Sequence, residues 1–412
     1  MEITDRGAYA NLAVKRLGAS LPAREAKQAA SLVYTTLDHL LTIDYYLSFF
    51  AKGTQKPAVR GINRRGVCEL LYRSTPAHAA VSESVQLTRE IGKPALCGFV
   101  NAVLRAVDRA RNALPPFPPD PPARLSLQYS CPEWIVREWL AAYGEERTEA
   151  LLSCPPAPVE VRAQWPFTRD ELRAALPVES TPGEWDENAL ALAGGFDIAG
   201  SELFQSGRMT VMSQSAMLAC RALGDVRQQR VLDACAAPGG KSAYLASLFE
   251  NDVSLVCFEL HPHRKELLDR TLSRLHVIAE TLVRDASVFD AAYESAFDAV
   301  LLDAPCSGLG LLGGKPDIRY AKTDESVASL AALQSRILDA CGRYVRPNGV
   351  LVYATCTISR RENEEQIASF LRRTPAFTLE RMPLPIENDG VLQLLPHVHH
   401  TDGFFLARMR RG

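Results

Sequence analysis

Two cysteines occupy positions where a thiolate could act as a nucleophile. Cys306 stands three residues after the apolar run 299–303, and Cys356 stands two residues after the run 349–354. Each run predicts a buried strand, and a parallel sheet binds its ligands at the carboxyl ends of its strands. The ten cysteines include no C-x-x-C pair, which argues against a structural zinc site and against a disulfide framework. The pair therefore points to covalent catalysis by sulfur, with two small core residues as the alternative.

A third stretch has the residues of a cofactor-binding loop. Residues 230–235 predict a buried strand and residues 242–249 predict an apolar helix, with two consecutive glycines between them. Glycine lets the backbone approach a ligand closely, and the start of the helix offers unpaired N–H groups. The loop is not a P-loop, which needs a glycine where Cys235 stands, and it lacks the dinucleotide pattern G-x-G-x-x-G. The residues predicted to contact the cofactor are Cys235, Ala236, Ala237, Pro238, Gly239, Gly240 and Lys241.

Carboxylates end three of the predicted strands beside this loop. Glu259 ends the second strand of the alternating region, Asp285 follows the third, and Asp303 ends the fourth. A carboxylate at the second strand end can accept hydrogen bonds from both hydroxyls of a ribose, and Asp285 would lie near an adenine. Each acid alone could equally be a helix cap. Three at consecutive strand ends favour a cofactor site.

Three sequence strings resemble those of the RNA cytosine-5 methyltransferases of the Sun family. They are D-A-C-A-A-P-G-G-K-S at 233–242, D-A-P-C-S-G at 303–308 and T-C-T at 355–357. In addition, N-A-V-L-R at 101–105 is similar to a signature of the RNA-binding domain of the antitermination factor NusB, with Asn101 and Arg105 as candidate surface contacts or as capping and packing residues. The resemblance implies S-adenosylmethionine (SAM) as the cofactor and no metal.

The resemblance also implies that the two cysteines have different catalytic roles. Carbon C5 of cytosine is a poor nucleophile until a thiolate adds to C6, and the base must leave its stack for that attack. In the RNA enzymes the cysteine of the T-C string is the nucleophile, which is Cys356 here, and that of the P-C string, Cys306, assists release. DNA enzymes use the P-C cysteine, but their E-N-V string is missing. Asp303 is expected to contact the base as well as the cofactor.

The implied substrate is a cytidine of 16S ribosomal RNA, free or in an assembling small subunit. Expected RNA contacts are Lys315, Arg319 and Arg264, whereas Gly313 and Gly314 replace the two basic residues usual in the family. Two alternatives are the same chemistry on transfer RNA and a non-catalytic RNA-binding or ribosome assembly factor.

The predicted fold class is an all-α NusB-like N-terminal domain followed by an α/β Rossmann-like domain with a mostly parallel, doubly wound sheet. The predicted boundaries are 1–114 for the helical domain, 115–124 for a proline-rich linker, 125–205 for a small α/β subdomain and 206–412 for the catalytic domain. The predicted strands of the catalytic domain are 231–235, 254–258, 280–283, 299–303, 349–354 and 403–409.

Charge is distributed unevenly along the 412 residues. Residues 1–114 contain 16 lysines and arginines against nine aspartates and glutamates, and the rest of the chain contains 30 against 39. A basic domain joined to an acidic one indicates that the first part meets a polyanion, although a solvated helical surface explains the charge equally well. No apolar run reaches the roughly 18 residues of a membrane span and no signal peptide is evident, so we expect a cytoplasmic monomer.

Overall fold

The computed structural model, which describes residue 3 and residues 9–412, divides the chain into two units. The helical unit holds the described residues up to Cys154 together with Leu312–Thr323. The sheet unit holds Pro155–Leu311 and Asp324–Gly412. This division differs from the predicted boundaries, because residues 115–154 and the short segment after Leu311 group with the helices.

Apolar residues at three- and four-residue spacing form the core of the helical unit. In the helix Cys97–Ala110, Val100 and Leu104 are fully buried, and they pack in one cluster with residues of the helix Pro57–Tyr72. At Gly66 a Cβ atom would lie 2.6 Å from Leu104 Cδ1, so only glycine allows this approach. The helices of this unit are Ala10–Gly18, Ala23–Asp38, Leu40–Phe50, Pro57–Tyr72, Ala77–Glu90, Cys97–Ala110, Pro121–Gln128, Glu133–Ser153 and Ile318–Ala321, with the 3-10 turn Pro94–Leu96.

The proline-rich segment is shorter and less extended than the sequence predicts. Its last prolines begin the helix Pro121–Gln128, where proline is tolerated because the first N–H groups of a helix have no partner within it. Asp120 caps this helix by accepting the N–H of Ala123 at 3.3 Å. Earlier in the segment, the Phe117 ring lies 5.8 Å from the ring of Tyr46. The predicted linker 115–124 therefore packs against the helical unit through Phe117, and a helix begins within it at Pro121.

The sheet unit contains a small antiparallel sheet and a large mixed one. The small sheet has the order β2-β3-β1-β4, and these strands were not predicted individually. Its strands are β1 (Glu160–Ala163), β2 (Ser180–Pro182), β3 (Ala189–Leu192) and β4 (Met209–Val211). The helices of the sheet unit are Arg169–Ala175, Glu202–Gln205, Gln214–Arg221, Gly240–Leu248, Pro262–Arg274, Asp324–Tyr344, Glu364–Arg373 and Pro396–His399, with 3-10 turns Ala291–Tyr293 and Leu309–Leu311.

The large sheet confirms the predicted Rossmann-like class. Its order is β10-β12-β9-β8-β5-β6-β7, and β11 pairs with β12. Strands β5 to β9 are mutually parallel, whereas β12 runs antiparallel to β9. All six predicted strands are present, and β10 and β11 were missed. The strands are β5 (Arg230–Asp233), β6 (Ser254–Glu259), β7 (Glu280–Val283), β8 (Phe297–Asp303), β9 (Val345–Thr355), β10 (Phe377–Leu379), β11 (Val391–Leu394) and β12 (Phe404–Arg411).

The sheet register brings the predicted site residues to one edge. Asp233 at the end of β5 pairs with Leu301 of β8, and Asp303 at the end of β8 pairs with Ala354 of β9. Apolar side chains on both faces of these strands are buried in two clusters. Among the described helices, none has the length and apolarity needed to cross a bilayer.

Candidate active site

The glycine loop lies between β5 and the helix Gly240–Leu248. Its backbone is fixed by two hydrogen bonds, from the N–H of Ala236 to the carbonyl of Phe258 at 2.9 Å and from Gly239 to Ala236 at 2.7 Å. Gly239 has a φ of +104°, and a Cβ atom there would lie 2.9 Å from Leu268 Cδ1. The turn therefore requires glycine at this position. The helix that follows begins at Gly240, and the first N–H groups of a helix have no partner within it, so they are available to a ligand.

Asp233, at the end of β5, provides a test of whether the loop fits a cofactor. Its carboxylate is buried, and Oδ2 accepts a hydrogen bond from Ser242 Oγ at 2.6 Å. The other oxygen, Oδ1, is buried and has no hydrogen-bond partner among the described residues. Burial raises the pKa of Asp233 to about 6, against the lowering effect of the Ser242 hydrogen bond. A buried acceptor without a donor fits a ligand with an ammonium or a sulfonium group, and SAM carries both.

Glu259 lies at the end of the neighbouring strand β6. Its side chain is 4% exposed, and Oε1 accepts the N–H of His261 at 3.0 Å. Arg264 was predicted to contact RNA, but its guanidinium donates to the carbonyl of Ala237 at 2.9 Å and lies 3.7 Å from Glu259 Oε1. These contacts tie Arg264 to the cofactor loop, while its side chain stays 47% exposed, so its role as an RNA contact remains a prediction.

Exposed apolar side chains next to these acids were not identified from the sequence. Leu260 follows Glu259 and is 50% exposed, and Val288 lies three residues after Asp285 and is 63% exposed. The Asp285 carboxylate is itself exposed and accepts the N–H of Ser287 at 2.9 Å. Apolar residues left in solvent beside a strand end are typical of a site for a flat ring. For Glu259, the signal in the sequence is the apolar Leu260 directly after the acid.

The two cysteines lie side by side, as the sequence predicts. The sulfur atoms of Cys306 and Cys356 are 3.3 Å apart, and both side chains are half-buried. Register explains the contact, because Cys306 lies three residues beyond the end of β8 and Cys356 directly follows β9. The turn after Cys306 returns to β9 through the N–H of Gly310, which donates to the carbonyl of Cys356 at 3.0 Å. Both sulfurs are therefore held at the same edge as the glycine loop.

Lys241, in the first turn of the helix Gly240–Leu248, pairs with the carboxylate of Asp303. Lys241 Nζ lies 2.7 Å from Asp303 Oδ2, and 5.3 Å from the centre of the Phe404 ring. Burial disfavours the charged ammonium, but the charge and hydrogen bond of Asp303, with a contribution from Cys356, outweigh it and raise the pKa of Lys241. The attraction between Lys241 and Cys356 acts in both directions, so the ammonium also favours the thiolate form of that sulfur.

Cys356 also acts on the thiol of Cys306. The hydrogen bond to Cys356, burial and the charge of Cys356 raise the pKa of the Cys306 thiol well above its ordinary value. Asp303 and Glu362 add to this effect through their negative charges. Two thiolates this close repel each other, so the pair keeps one proton while one of its sulfurs is ionised.

A buried polar network joins the loops that carry the two cysteines. Ser307 Oγ lies 2.8 Å from Thr357 Oγ1, so the residues directly after the two cysteines are hydrogen-bonded to each other. Glu362 accepts the N–H of Ser307 at 2.9 Å and Gln334 Nε2 at 2.9 Å, and Ser307 Oγ also donates to it. These side chains are at most 1% exposed. The sequence alone predicts no role for Glu362, since its partners are far apart along the chain.

We expect Glu362→Ala to destabilise the sheet unit by about 1–3 kcal/mol, the cost of a buried donor without an acceptor. The change leaves the N–H of Ser307 without its acceptor, whereas Gln334 Nε2 keeps the carbonyl of Pro305. Urea denaturation of the full chain measures the effect. Glu365→Ala, at an exposed position three residues away, is the matched control and should change stability by less than about 0.5 kcal/mol. Equal effects of the two changes would contradict the role given to the network.

The predicted RNA contacts after Leu312 differ in their exposure. Lys315 is exposed beside the exposed Gly313 and Gly314, as a phosphate contact requires. Arg319 is only 9% exposed, and its guanidinium donates to the carbonyls of Tyr129 at 3.2 Å, Ser130 at 3.4 Å and Leu312 at 3.1 Å. Because Arg319 uses these N–H groups within the helical unit, its prediction as an RNA contact is corrected to a structural role.

No group of three or more His, Cys, Asp or Glu side chains in the described part of the chain is arranged to hold a metal ion. The ten cysteines, which all lie within the described residues, are thiols, and none forms a disulfide. The chemistry available at this site is therefore that of sulfur, the Lys241–Asp303 ion pair and a bound cofactor.

Comparisons with known proteins agree with this geometry. The family model described as 16S rRNA methyltransferase RsmB/F matches residues 220–410, and the NusB family model matches residues 1–109. The probable ribosomal RNA small subunit methyltransferase B of Bacillus subtilis is 37% identical, with an alignment that covers 100% of this chain and 96% of that protein. The corresponding protein of Shewanella oneidensis is 34% identical over 84% of this chain and 81% of its own length.

Two solved structures share the fold. The crystal structure of PH0851 has a TM-score of 0.82 and 24% identity, and the match covers 97% of each chain. NSun6 from Pyrococcus horikoshii, solved with the SAM analogue SFG, has a TM-score of 0.61 and 18% identity over 68% of this chain and 98% of its own. At these identities the likeness shows the fold alone.

Proposed function

The chain belongs to the RsmB/F family of 16S rRNA methyltransferases and uses SAM as its cofactor, and from that premise we propose that it methylates carbon C5 of a cytidine in 16S rRNA. The observation that carries the proposal is the pair Cys306 and Cys356, with sulfurs 3.3 Å apart at the ends of β8 and β9. Methyl transfer to an oxygen or to an exocyclic nitrogen needs no thiol. Addition to C6 of a pyrimidine needs one as nucleophile and a second group to remove a proton.

SAM, when bound, supplies an electrophilic methyl carbon on a sulfonium. The backbone of 235–240 and the buried carboxylate of Asp233 would hold its amino acid end, since Asp233 Oδ1 has no donor among the described residues. Glu259 would accept the ribose hydroxyls. Asp285, with Leu260 and Val288, would bind the adenine. These roles follow from strand-end position, from burial and from the exposed apolar surface beside the acids.

Cys356 is proposed as the nucleophile. Its sulfur forms a bond to C6 of the flipped cytosine, and the electrons of the C5–C6 double bond become available at C5. Asp303 accepts a hydrogen bond from the exocyclic amine, while its partner Lys241 offsets the negative charge that develops on the ring. The positive charge of Lys241, which interacts with Cys356, supports this sulfur as the nucleophile.

Cys306 is proposed to remove the proton from C5. Once Cys356 is bonded to carbon, its negative charge is gone, and the main reason for the raised pKa of Cys306 goes with it. Cys306 can then lose its proton to solvent and accept the proton of C5. As that C–H bond breaks, the C5–C6 double bond returns and Cys356 leaves as a thiolate. The cycle ends with the starting protonation states and releases one proton, as methylation of a C–H bond requires.

Ribosomal RNA is supported as the substrate by the names of the relatives and by the basic character of residues 1–114. Lys315 is exposed and stands close to Cys306 in the sequence. It is the proposed phosphate contact in this stretch. A ribosomal RNA substrate would be met in the cytoplasm. The match of residues 1–109 to the NusB family favours this substrate over transfer RNA.

The test is the identity of the product nucleoside. The purified chain is incubated with SAM and either 16S rRNA or bulk transfer RNA, and the digested RNA is examined by mass spectrometry. We expect 5-methylcytidine in 16S rRNA at one position or a few. Methyl groups on another nucleoside, or 5-methylcytidine in transfer RNA alone, would contradict the proposal.

A further inference from the structure

A cavity of about 490 Å³ opens on the helical unit, and none of the residues that line it is a predicted site residue. Two loops border it, residues 52–56 before the helix Pro57–Tyr72 and residues 92–96 before the helix Cys97–Ala110. Its apolar floor consists of Val59, Leu96 and Phe99, which belong to or pack against the core of this unit. The volume falls within the range of about 300–1,000 Å³ found for ligand sites.

The rim of this cavity is cationic. Lys52, Lys56 and Lys93 line it, and no aspartate or glutamate does. All three lysines are exposed, and none forms an ion pair with a described residue. By contrast, a cavity of about 520 Å³ in the sheet unit has Glu187, Asp225 and Glu250 beside its arginines. Of these two cavities, the lysine cavity has the charge that suits an anion.

The loops that present the lysines have defined conformations. Gly53 follows Lys52 with a φ of +79°, and Gly92 precedes Lys93 with a φ of +72°. These left-handed conformations favour glycine and turn the chain sharply beside each lysine. The two loops thus place ammonium groups from separate parts of the chain around one apolar floor.

We propose that this lysine cavity binds an unpaired nucleotide of the RNA substrate, with the base against Phe99 and the flanking phosphates against the three lysines. An aromatic floor with cations at the rim is the arrangement with which proteins hold single-stranded nucleic acid. The excess of seven positive charges in residues 1–114 favours the same ligand. The inference rests on the proposed function for the choice of RNA, and it adds a recognition site on a unit that lacks the reacting groups.

The test is RNA affinity of the full chain at several salt concentrations. The probe is a fluorescently labelled fragment of 16S rRNA with single-stranded ends, and fluorescence anisotropy gives the Kd. The triple change Lys52→Ala, Lys56→Ala and Lys93→Ala should weaken binding about 10-fold or more. It should also reduce the steepness of the plot of log K against log salt concentration by about 2, because each lost phosphate contact on a single strand contributes roughly 0.7. The matched control changes Lys15, Arg24 and Lys27, exposed on other helices, to alanine and should weaken binding less than about 3-fold.

A fourth variant tests the base. Phe99→Leu keeps the floor apolar and removes the ring, and should weaken binding of the single-stranded probe while leaving a blunt duplex of the same length unaffected. The proposal would be overturned if the two triple variants lost equal amounts of RNA affinity. It would also be overturned if the triple cavity variant lost as much affinity for polyglutamate, an anion without bases, as for RNA. The binding assay needs no methyl transfer, so a chain that binds RNA through the cavity but makes no 5-methylcytidine would refute the proposed function alone.

Discussion

Cys356→Ala is expected to abolish methyl transfer while SAM binding stays within about 2-fold of the unchanged protein. Without a sulfur at this position no bond to C6 forms, and C5 of the cytosine never becomes nucleophilic. Loss of a nucleophile that acts with partners costs on the order of 10⁴-fold or more in rate. Tritiated methyl incorporation into 16S rRNA measures the rate, and isothermal calorimetry with SAM measures the binding.

Cys97→Ala is the matched control for this prediction. Cys97 is a half-buried thiol in the helical unit, and its sulfur lies 3.6 Å from the carbonyl of Val85. It should leave the rate within about 2-fold. Methyl transfer by the Cys356→Ala protein at more than a hundredth of the normal rate would show that another group attacks C6.

Cys306→Ala is expected to trap the enzyme on its RNA. The first steps need only Cys356, so the bond to C6 forms and C5 gains its methyl group. Release then stalls, because the sulfur that lies 3.3 Å from Cys356 is no longer present to accept the proton of C5. A denaturing gel should show a protein–RNA species at near-stoichiometric yield, and turnover should fall at least about 10²-fold.

The double variant with both cysteines changed separates a trapped intermediate from adventitious crosslinking. It should give no species of higher mass, because the bond that holds the RNA is made by Cys356. If Cys306→Ala turns over normally and leaves no adduct, the proton of C5 is removed by some other base. If the double variant still retains RNA, the retained species is not the proposed adduct.

The cofactor loop and the cysteine pair were predictable because each is encoded within a few consecutive residues. Gly239 needs its positive φ for a local turn, and both cysteines follow apolar runs that could only be buried strands. Parallel pairing of β8 with β9 then brings their ends together without further information. The same logic recovered the six main strands and the Rossmann-like class.

The polar groups that hold this edge together could not be predicted, because their partners are distant in the chain. Glu362 contacts Ser307 and Gln334, which lie 55 and 28 residues earlier. Arg319 was misassigned for the same reason, since a basic residue in a loop predicts a surface contact and only the fold reveals the carbonyls that bury it. The start of the helix at Pro121 was hidden by the prolines around it.

The most direct measurement of the central claim uses RNA in which 5-fluorocytidine replaces cytidine. Fluorine at C5 cannot leave as a cation, so the bond between enzyme and C6 should persist after methyl transfer. With SAM and the unchanged protein, the account predicts a stable covalent complex whose RNA-bearing peptide, identified by mass spectrometry, is attached through Cys356. Attachment through Cys306, or full activity on cytidine with no covalent complex on 5-fluorocytidine, would contradict it.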